Sequence, residues 1–163
     1  VIGSRTGKIL QTIPFFCGIH ENKPWSKAAL LGSLFHFEHV PAGTVLFVCS
    51  HNSARSQLAA ALWCDRMGGV AVSAGTHPAE RVHPGAVAAA QRAGLDLSDA
   101  APRLLENPSA AAVVVTVCDR AHEELEPDPD WWHWSIADPV DAGTDTAFDA
   151  VIADLDARIA TLQ

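Results

Sequence analysis

A cysteine and an arginine lie close enough in this sequence to handle a tetrahedral oxyanion together. Cys49 follows the apolar run Val45–Val48, and Arg55 precedes Ser56 and the helix-forming residues 57–63. The pattern predicts a strand, a short loop and a helix, in that order. A loop at the amino end of a helix presents unpaired main-chain N–H groups, and the helix dipole adds partial positive charge. Such a loop could hold an oxyanion against the cysteine sulfur.

Each residue type in this stretch suits that chemistry. The Arg55 guanidinium is planar and permanently charged, and it fits two oxygens of phosphate or arsenate. The Ser56 hydroxyl can donate a hydrogen bond to the Cys49 sulfur. We expect the positive surroundings to lower the Cys49 pKa, so that a thiolate is available at neutral pH. The main-chain N–H groups expected to bind the anion belong to Ser50, His51, Asn52, Ser53 and Ala54.

Cys49 also has a simpler interpretation, as a buried structural cysteine at the end of a core strand. The arginine, serine and helix that follow at this spacing favour a functional loop instead. Asn52 is a small polar residue suited to holding such a loop in a strained conformation. We expect the His51 side chain to point away from the anion, because the main chain does the binding.

The overall composition limits the partners. The chain has 163 residues and a net charge of −8, with a sequence pI near 5.3. This acidity argues against nucleic acid or an anionic membrane as a partner, so the attraction for an oxyanion must be local. The cysteines show no CxxC pair and no zinc spacing, and no metal site is predicted. A reducing, cytoplasmic location fits these cysteines better than an oxidising one.

The composition changes near residue 43. All three lysines precede residue 28, and residues 44–163 contain none. We predict an N-terminal extension, residues 1–43, and a catalytic domain, residues 44–163. The extension resembles neither a secretion signal nor a membrane span, because polar residues, proline and glycine interrupt its apolar stretches. Residues 25–37 could form an amphipathic helix, and no function is assigned to the extension.

Strands and helices alternate through the catalytic domain. The apolar and β-branched runs predict strands at residues 45–48, 70–73, 111–117 and 134–136. Helices are predicted at 56–67 and 85–92, and a final helix begins near Thr144 or Asp145. This alternation predicts a doubly wound parallel α/β sheet, whose ligands bind at the carboxyl edge of the strands. Cys49, Cys118 and the stretch after Ile136 should meet at that edge.

Four motifs in this order resemble the arsenate reductases built on the low-molecular-weight protein tyrosine phosphatase fold. The motifs are residues 48–57, 73–76, 115–119 and 133–139, and the similarity spans about residues 44–160. The loop sequence and residues 82–87 resemble the reductases more than the phosphatases. The resemblance implies a four-stranded parallel sheet flanked by helices.

The resemblance also implies roles for individual residues. Cys49 would be the nucleophile and Arg55 the oxyanion clamp. Asp138 would be the general acid, although an Asp-Pro pair is also ordinary turn chemistry. Cys118 would be the second cysteine of the reductases, although a cysteine ending a buried strand is also typical core packing. Leu125 stands near the position of a third cysteine, so the full relay of three cysteines is not encoded.

The resemblance implies no bound cofactor and an external thiol reductant. Cys118 could form a disulfide with Cys49 that thioredoxin or a glutaredoxin-type protein (mycoredoxin) reduces. Alternatively, a small thiol such as mycothiol could attack the Cys49–arsenate adduct. Some relatives hold potassium with a carboxylate where this chain has Ala60, so no potassium site is predicted. Cys64 is expected to pack in the core.

Two other functions remain open at this point. A phosphatase would hydrolyse phosphomonoesters through a phosphocysteine at Cys49, with Asp138 as acid and then base. Against a tyrosine phosphatase, the loop at 76–84 has no aromatic residue to stack on phosphotyrosine. Trp131, Trp132 and Trp134 could line the pocket instead, or pack in the core. A non-catalytic oxyanion sensor would need neither an activated thiol nor an acid.

Overall fold

The structure is a computed structural model that describes residues 43–162. The predicted helix at 25–37 and the rest of the extension lie outside the described residues. Four strands form one parallel sheet in the order β2-β1-β3-β4. The strands are β1 (Val45–Cys49), β2 (Ala71–Gly75), β3 (Val113–Thr116) and β4 (Trp132–His133). The prediction of a parallel sheet flanked by helices is confirmed.

Five helices connect and follow these strands. They are α1 (Arg55–Met67), α2 (Pro84–Arg92), α3 (Asp119–Leu125), α4 (Pro139–Ala142) and α5 (Asp145–Ala160). A short 3-10 helix covers Pro108–Ala110. No helix within residues 43–162 has the length and apolar character needed to cross a lipid bilayer.

The core forms where α1 packs against β1 and against α5. Every residue of β1 is buried, as a strand between two parallel neighbours should be. Phe47 is fully buried, and its ring lies 5.9 Å from the rings of both Trp63 and Trp134. Burying each such side chain contributes about 1.5–3 kcal/mol to stability. This packing fixes β1, and therefore fixes where Cys49 leaves the sheet.

Helix α5 begins where the sequence predicted. The Thr144 hydroxyl accepts a hydrogen bond from the Ala147 N–H, so Thr144 is the N-cap and Asp145 is the first helical residue. The apolar face buries Phe148, Val151, Leu155 and Ile159.

One strand and two helices differ from the predicted elements. The last strand is Trp132–His133, not 134–136, because Trp134 and Ile136 are buried against the core just after the strand ends. Helices α3 and α4 were not predicted. In α3 only Ala121 is buried, so its sequence carries no apolar periodicity.

Candidate active site

Residues 50–54, between β1 and α1, form a loop that we call the oxyanion loop. It is hydrogen-bonded along its outer side to residues 76–83, which we call the strap. Four main-chain N–H groups of the strap region donate to four consecutive or near-consecutive carbonyl oxygens around the loop. The pairs are Thr76 N with Cys49 O (3.3 Å), His77 N with Ser50 O (2.8 Å), Ala79 N with His51 O (2.9 Å) and His83 N with Ser53 O (2.8 Å).

These bonds determine where the loop's own N–H groups point. In a trans peptide the carbonyl oxygen of one residue and the N–H of the next point in opposite directions. Because the carbonyls face the strap, the N–H groups that follow them face the interior of the loop. Those groups belong to Ser50, His51, Asn52 and Ala54. The Asn52 N–H is directed at the Cys49 Sγ, 3.2 Å away. The loop is therefore shaped as a cradle for an anion above the sulfur.

Asn52 holds the cradle from within. Its φ is +48°, in the left-handed region that residues other than glycine seldom adopt. The fully buried side chain compensates with hydrogen bonds. Nδ2 donates to the Ser56 Oγ at 2.7 Å, and Oδ1 accepts from the Arg103 N–H at 2.8 Å and the Gln57 Nε2 at 3.1 Å. Sequence reasoning predicted this role for Asn52 but missed Gln57, which also donates to the Ala101 carbonyl oxygen at 3.1 Å.

The Cys49 sulfur is buried at the base of the cradle. The Ser56 Oγ lies 3.0 Å from its Sγ, as the sequence suggested. Burial raises the pKa of the Cys49 thiol, whereas the hydrogen bonds from Ser56 lower it and the charge of Arg55 lowers it least. The prediction of a lowered pKa is therefore wrong for this structure. Loss of hydration outweighs the positive surroundings, because the thiolate is cut off from water.

Arg55 lies at the pocket wall with its charge directed at Asp138. Nη2 donates to the Asp138 Oδ2, and Nη1 donates to the Ile136 carbonyl oxygen at 3.1 Å. The other Asp138 oxygen accepts from the Val140 N–H at 3.0 Å and caps α4. Asp138 is thus both a turn aspartate and a pocket residue. The guanidinium engages the carboxylate where the sequence analysis expected an oxyanion.

Cys118 reaches the same edge of the sheet. It follows β3 and is 1% exposed, and its Sγ lies 3.6 Å from the Ser50 Oγ. The sulfur also accepts from the Ala121 N–H at 3.4 Å and caps α3. Cys64 lies on α1 and is buried in the core, away from the pocket lining.

The pocket above Cys49 has a volume of about 100 Å³. It is lined by Cys49, His51, Ser53, Ala54, Arg55, Asp138, Val140 and Asp141. The tryptophans do not line it. Trp134 is buried against Phe47, Trp131 packs against the core, and Trp132 is 39% exposed on the edge strand. Among residues 43–162, no group of three or more His, Cys, Asp or Glu side chains is arranged to hold a metal ion.

The family model of the low molecular weight phosphotyrosine protein phosphatases matches residues 44–163. An arsenate reductase of Brevibacillus brevis is 35% identical over 104 residues, which are 59% of this chain and 76% of that protein.

Two solved arsenate reductases have similar structures. That of Archaeoglobus fulgidus is 32% identical with a TM-score of 0.63, and the match covers 72% of this chain and 97% of that one. A thioredoxin-dependent arsenate reductase of Corynebacterium glutamicum is 30% identical with a TM-score of 0.59, covering 78% of this chain and 62% of that one. The sheet order, the loop after β1 and the matched family model lead to one conclusion. The chain belongs to the low molecular weight phosphotyrosine protein phosphatase family.

Proposed function

We propose that this protein reduces arsenate to arsenite at Cys49, with electrons from thiols. The observation that carries the proposal is the second sulfur at the same sheet edge. Cys118 Sγ lies 3.6 Å from the hydroxyl of Ser50, a residue of the loop that surrounds Cys49. A phosphatase needs one thiol, whereas reducing arsenic by two electrons oxidises two. The relatives named arsenate reductase support the same function.

Binding is proposed to begin with exchange of partners at Arg55. Arg55 cannot direct the same N–H groups at Asp138 and at an oxyanion. An arsenate dianion entering the pocket takes the guanidinium from Asp138 and occupies the cradle of inward N–H groups. Asp138 is then a free carboxylate at the pocket wall, able to accept a proton and pass it on.

The first chemical step joins sulfur to arsenic. Since burial raises the pKa of Cys49, the resting group is a thiol, and the released Asp138 carboxylate accepts its proton. The resulting thiolate attacks arsenic, an As–O bond breaks, and the hydroxyl oxygen of the dianion leaves as water with the proton that Asp138 took from Cys49. The Ser56 hydroxyl and the Asn52 N–H stabilise the sulfur anion before attack.

The second step moves two electrons to arsenic. The Cys118 sulfur attacks the Cys49 Sγ, a disulfide forms, and the S–As bond breaks with its electron pair retained by arsenic. The Cys118 proton passes to the departing arsenite. An external thiol reductant then restores both cysteines.

The identity of that reductant belongs to the proposal as well. Thioredoxin, a glutaredoxin-type protein or a small thiol are the candidates, and residues 119–163 contain no cysteine to carry the oxidation further. Cys118 is 1% exposed and does not line the pocket, whereas Cys49 does. A reductant sulfur is therefore expected to approach from the Cys49 side. We propose that these reactions take place in the cytoplasm, where such reductants are maintained.

The phosphatase alternative is favoured by the same cradle and by Asp138, because phosphate and arsenate share charge and shape. Phosphotyrosine itself is less well suited, because no residue lining this pocket is aromatic apart from the exposed His51 imidazole. The two activities differ in what attacks the Cys49 adduct. In the phosphatase water attacks phosphorus, and in the reductase a second thiol attacks the Cys49 sulfur.

The deciding experiment measures arsenite formation in parallel with thioredoxin, glutaredoxin-type and small-thiol systems, against hydrolysis of an aryl phosphate. We expect arsenite with at least one thiol system and little hydrolysis. Hydrolysis of the aryl phosphate alone would establish the phosphatase. Phosphate binding in Cys49→Ser, with no turnover of either substrate by the unsubstituted protein, would identify an oxyanion sensor.

Cys118 is tested by substitution with a matched control. Cys118→Ser should abolish multiple turnover while a single equivalent of arsenate still forms the Cys49 adduct, detected by mass spectrometry. Cys64→Ala removes another buried sulfur that does not line the pocket, and should retain turnover. Full turnover of Cys118→Ser with a small thiol would remove Cys118 from the mechanism and make that thiol the direct attacker.

A further inference from the structure

We propose that His83 is a positioning residue that couples the pH of the solution to the shape of the oxyanion cradle. The inference rests on the proposed function only in treating the cradle as the substrate site. His83 does not itself line the pocket and acts through the strap, whose last hydrogen bond joins the His83 N–H to the Ser53 carbonyl oxygen at 2.8 Å.

The side chain of His83 fixes its own main chain in two ways. Its Nδ1 accepts a hydrogen bond from the Gly85 N–H at 3.1 Å and serves as the N-cap of α2. Its ring stacks on Phe148 of α5, with centroids 5.0 Å apart and planes 17° apart. Phe148 is 2% exposed and therefore offers a rigid surface.

Gly85 completes this arrangement. A Cβ at residue 85 would overlap the Phe148 ring, so only glycine allows α2 to approach that ring so closely. The cap, the stack and the close approach together hold residue 83 where its N–H meets Ser53. Ser53 lines the pocket, and the peptide that it shares with Ala54 directs one of the inward N–H groups.

The cap depends on the protonation state of the ring. A neutral imidazole can accept at Nδ1, whereas a protonated one carries hydrogen on both nitrogens and cannot. A positive ring at a helix amino end also opposes the helix dipole. Protonation must therefore release the Gly85 N–H, turn the ring on Phe148 and loosen the bond to Ser53.

The charged side chains of α5 and α2 near His83 pair with one another. From α5 the ring faces the uncharged Phe148. The carboxylates before and after Phe148 in sequence, Asp145 and Asp149, pair with Arg92 of α2. From the oxyanion loop the uncharged Ser53 accepts the His83 main-chain N–H. Within residues 43–162, no ion pair includes His83.

The test measures binding of inorganic phosphate by calorimetry near pH 5.5 and near pH 8, the two sides of histidine titration. His83→Asn keeps a cap acceptor that does not titrate in this range, and His83→Ala removes it. Each variant is compared with the unsubstituted protein at the same pH, so that the ionisation of phosphate cancels. Thr144→Ala is the matched control, because it removes a similar cap from α5 without contacting the strap.

We expect His83→Asn to bind phosphate within about twofold of the unsubstituted protein near pH 8, and several-fold more tightly near pH 5.5. His83→Ala should bind several-fold more weakly at pH 8, and Thr144→Ala should be unchanged at both. Equal binding by His83→Ala and the unsubstituted protein, parallel pH profiles for His83→Asn, or equal weakening by Thr144→Ala would each overturn the proposal. Phosphate binding needs no turnover. Failure to reduce arsenate would therefore refute the proposed function, while the binding data would still test the role of His83.

Discussion

Arg55 and Asp138, 83 positions apart in sequence, are joined by an ion pair across the mouth of the pocket. The pair is only partly exposed, with 11% of the Arg55 side chain and 28% of the Asp138 side chain accessible. Each partner has a further anchor, the Ile136 carbonyl oxygen for Arg55 and the Val140 N–H for Asp138. The clamp and the acid thus hold each other until an anion competes for the arginine.

Asp138→Asn should separate binding from chemistry. Without the carboxylate, Arg55 is released for an anion, so phosphate should bind as tightly as before or more tightly. Arsenate reduction should fall by about 10²–10⁴-fold, the range for a lost general acid. Inhibition constants for phosphate and kcat for arsenate test the two effects. Weaker phosphate binding with normal kcat would show that Asp138 only holds the loop.

The raised pKa of Cys49 predicts how its reactivity depends on pH. Because the folded protein keeps the thiol proton, alkylation by iodoacetamide should be slow at neutral pH. Its rate should increase steadily as the pH rises above the ordinary cysteine pKa of about 8.5. Adduct mass measured at successive pH values gives the profile, with Cys49→Ser as the blank. A plateau already reached at pH 6 would show a thiolate at rest and contradict the prediction.

Stability should respond to the same proton. The folded state binds the Cys49 proton at pH values where the unfolded chain releases it, so the free energy of unfolding should decrease as pH rises above the ordinary thiol pKa. Cys49→Ser should show a smaller decrease over that range. Urea titrations of both proteins at pH 8 and pH 10 compare the slopes directly, and identical decreases would argue against the raised pKa.

Gly75→Ala should distort the cradle through steric contact. A Cβ there would lie 2.7 Å from the Ser50 carbonyl oxygen and 3.0 Å from the Asn52 nitrogen, both main-chain atoms that cannot move aside alone. We expect a loss of about 1–3 kcal/mol in stability and weak phosphate binding. Gly69→Ala, which meets only the Trp63 side chain at 3.2 Å, is the control in thermal unfolding. An equal effect in both variants would mean that the loop absorbs the methyl group.

Asn52→Ala should remove several hydrogen bonds at once. The Arg103 N–H and the Gln57 amide would lose an acceptor, and the Ser56 hydroxyl a donor. We expect a loss of about 2–4 kcal/mol in unfolding free energy, because unpaired buried polar groups cost about 1–3 kcal/mol each. Asn107→Ala, an exposed asparagine without a capping bond, should be neutral. A loss below 1 kcal/mol for Asn52→Ala would show that the loop is held by the strap alone.

The sequence was informative where a local pattern decides the structure. Val45–Val48 and the residues after Arg55 predicted β1, the loop and α1, because apolar runs and helix formers act over short distances. It was uninformative about β4, where buried Trp134 and Ile136 look like a strand but pack after one ends. The direction of Arg55 could not be predicted either, because its partner is distant in sequence.

The prediction of a lowered Cys49 pKa was wrong for a related reason. Residue types reveal which charges are present near a sulfur, but not how much water the fold removes from it. Burial of Cys49 depends on β2 and β3 on both sides of β1, and no spacing within the loop encodes that. The strap was likewise predicted only as a loop, because its contacts with the oxyanion loop are made by main-chain atoms.

The main-chain hydrogen bonds between the strap and the oxyanion loop determine which substitutions the strap tolerates. Because the donors at Thr76, His77, Ala79 and His83 are peptide N–H groups, most side-chain replacements at residues 77 and 79 leave the grip intact. Proline alone deletes such a donor. A library randomised across this surface segment should therefore accept chemically diverse residues at 77 and 79 while rejecting imino acids there.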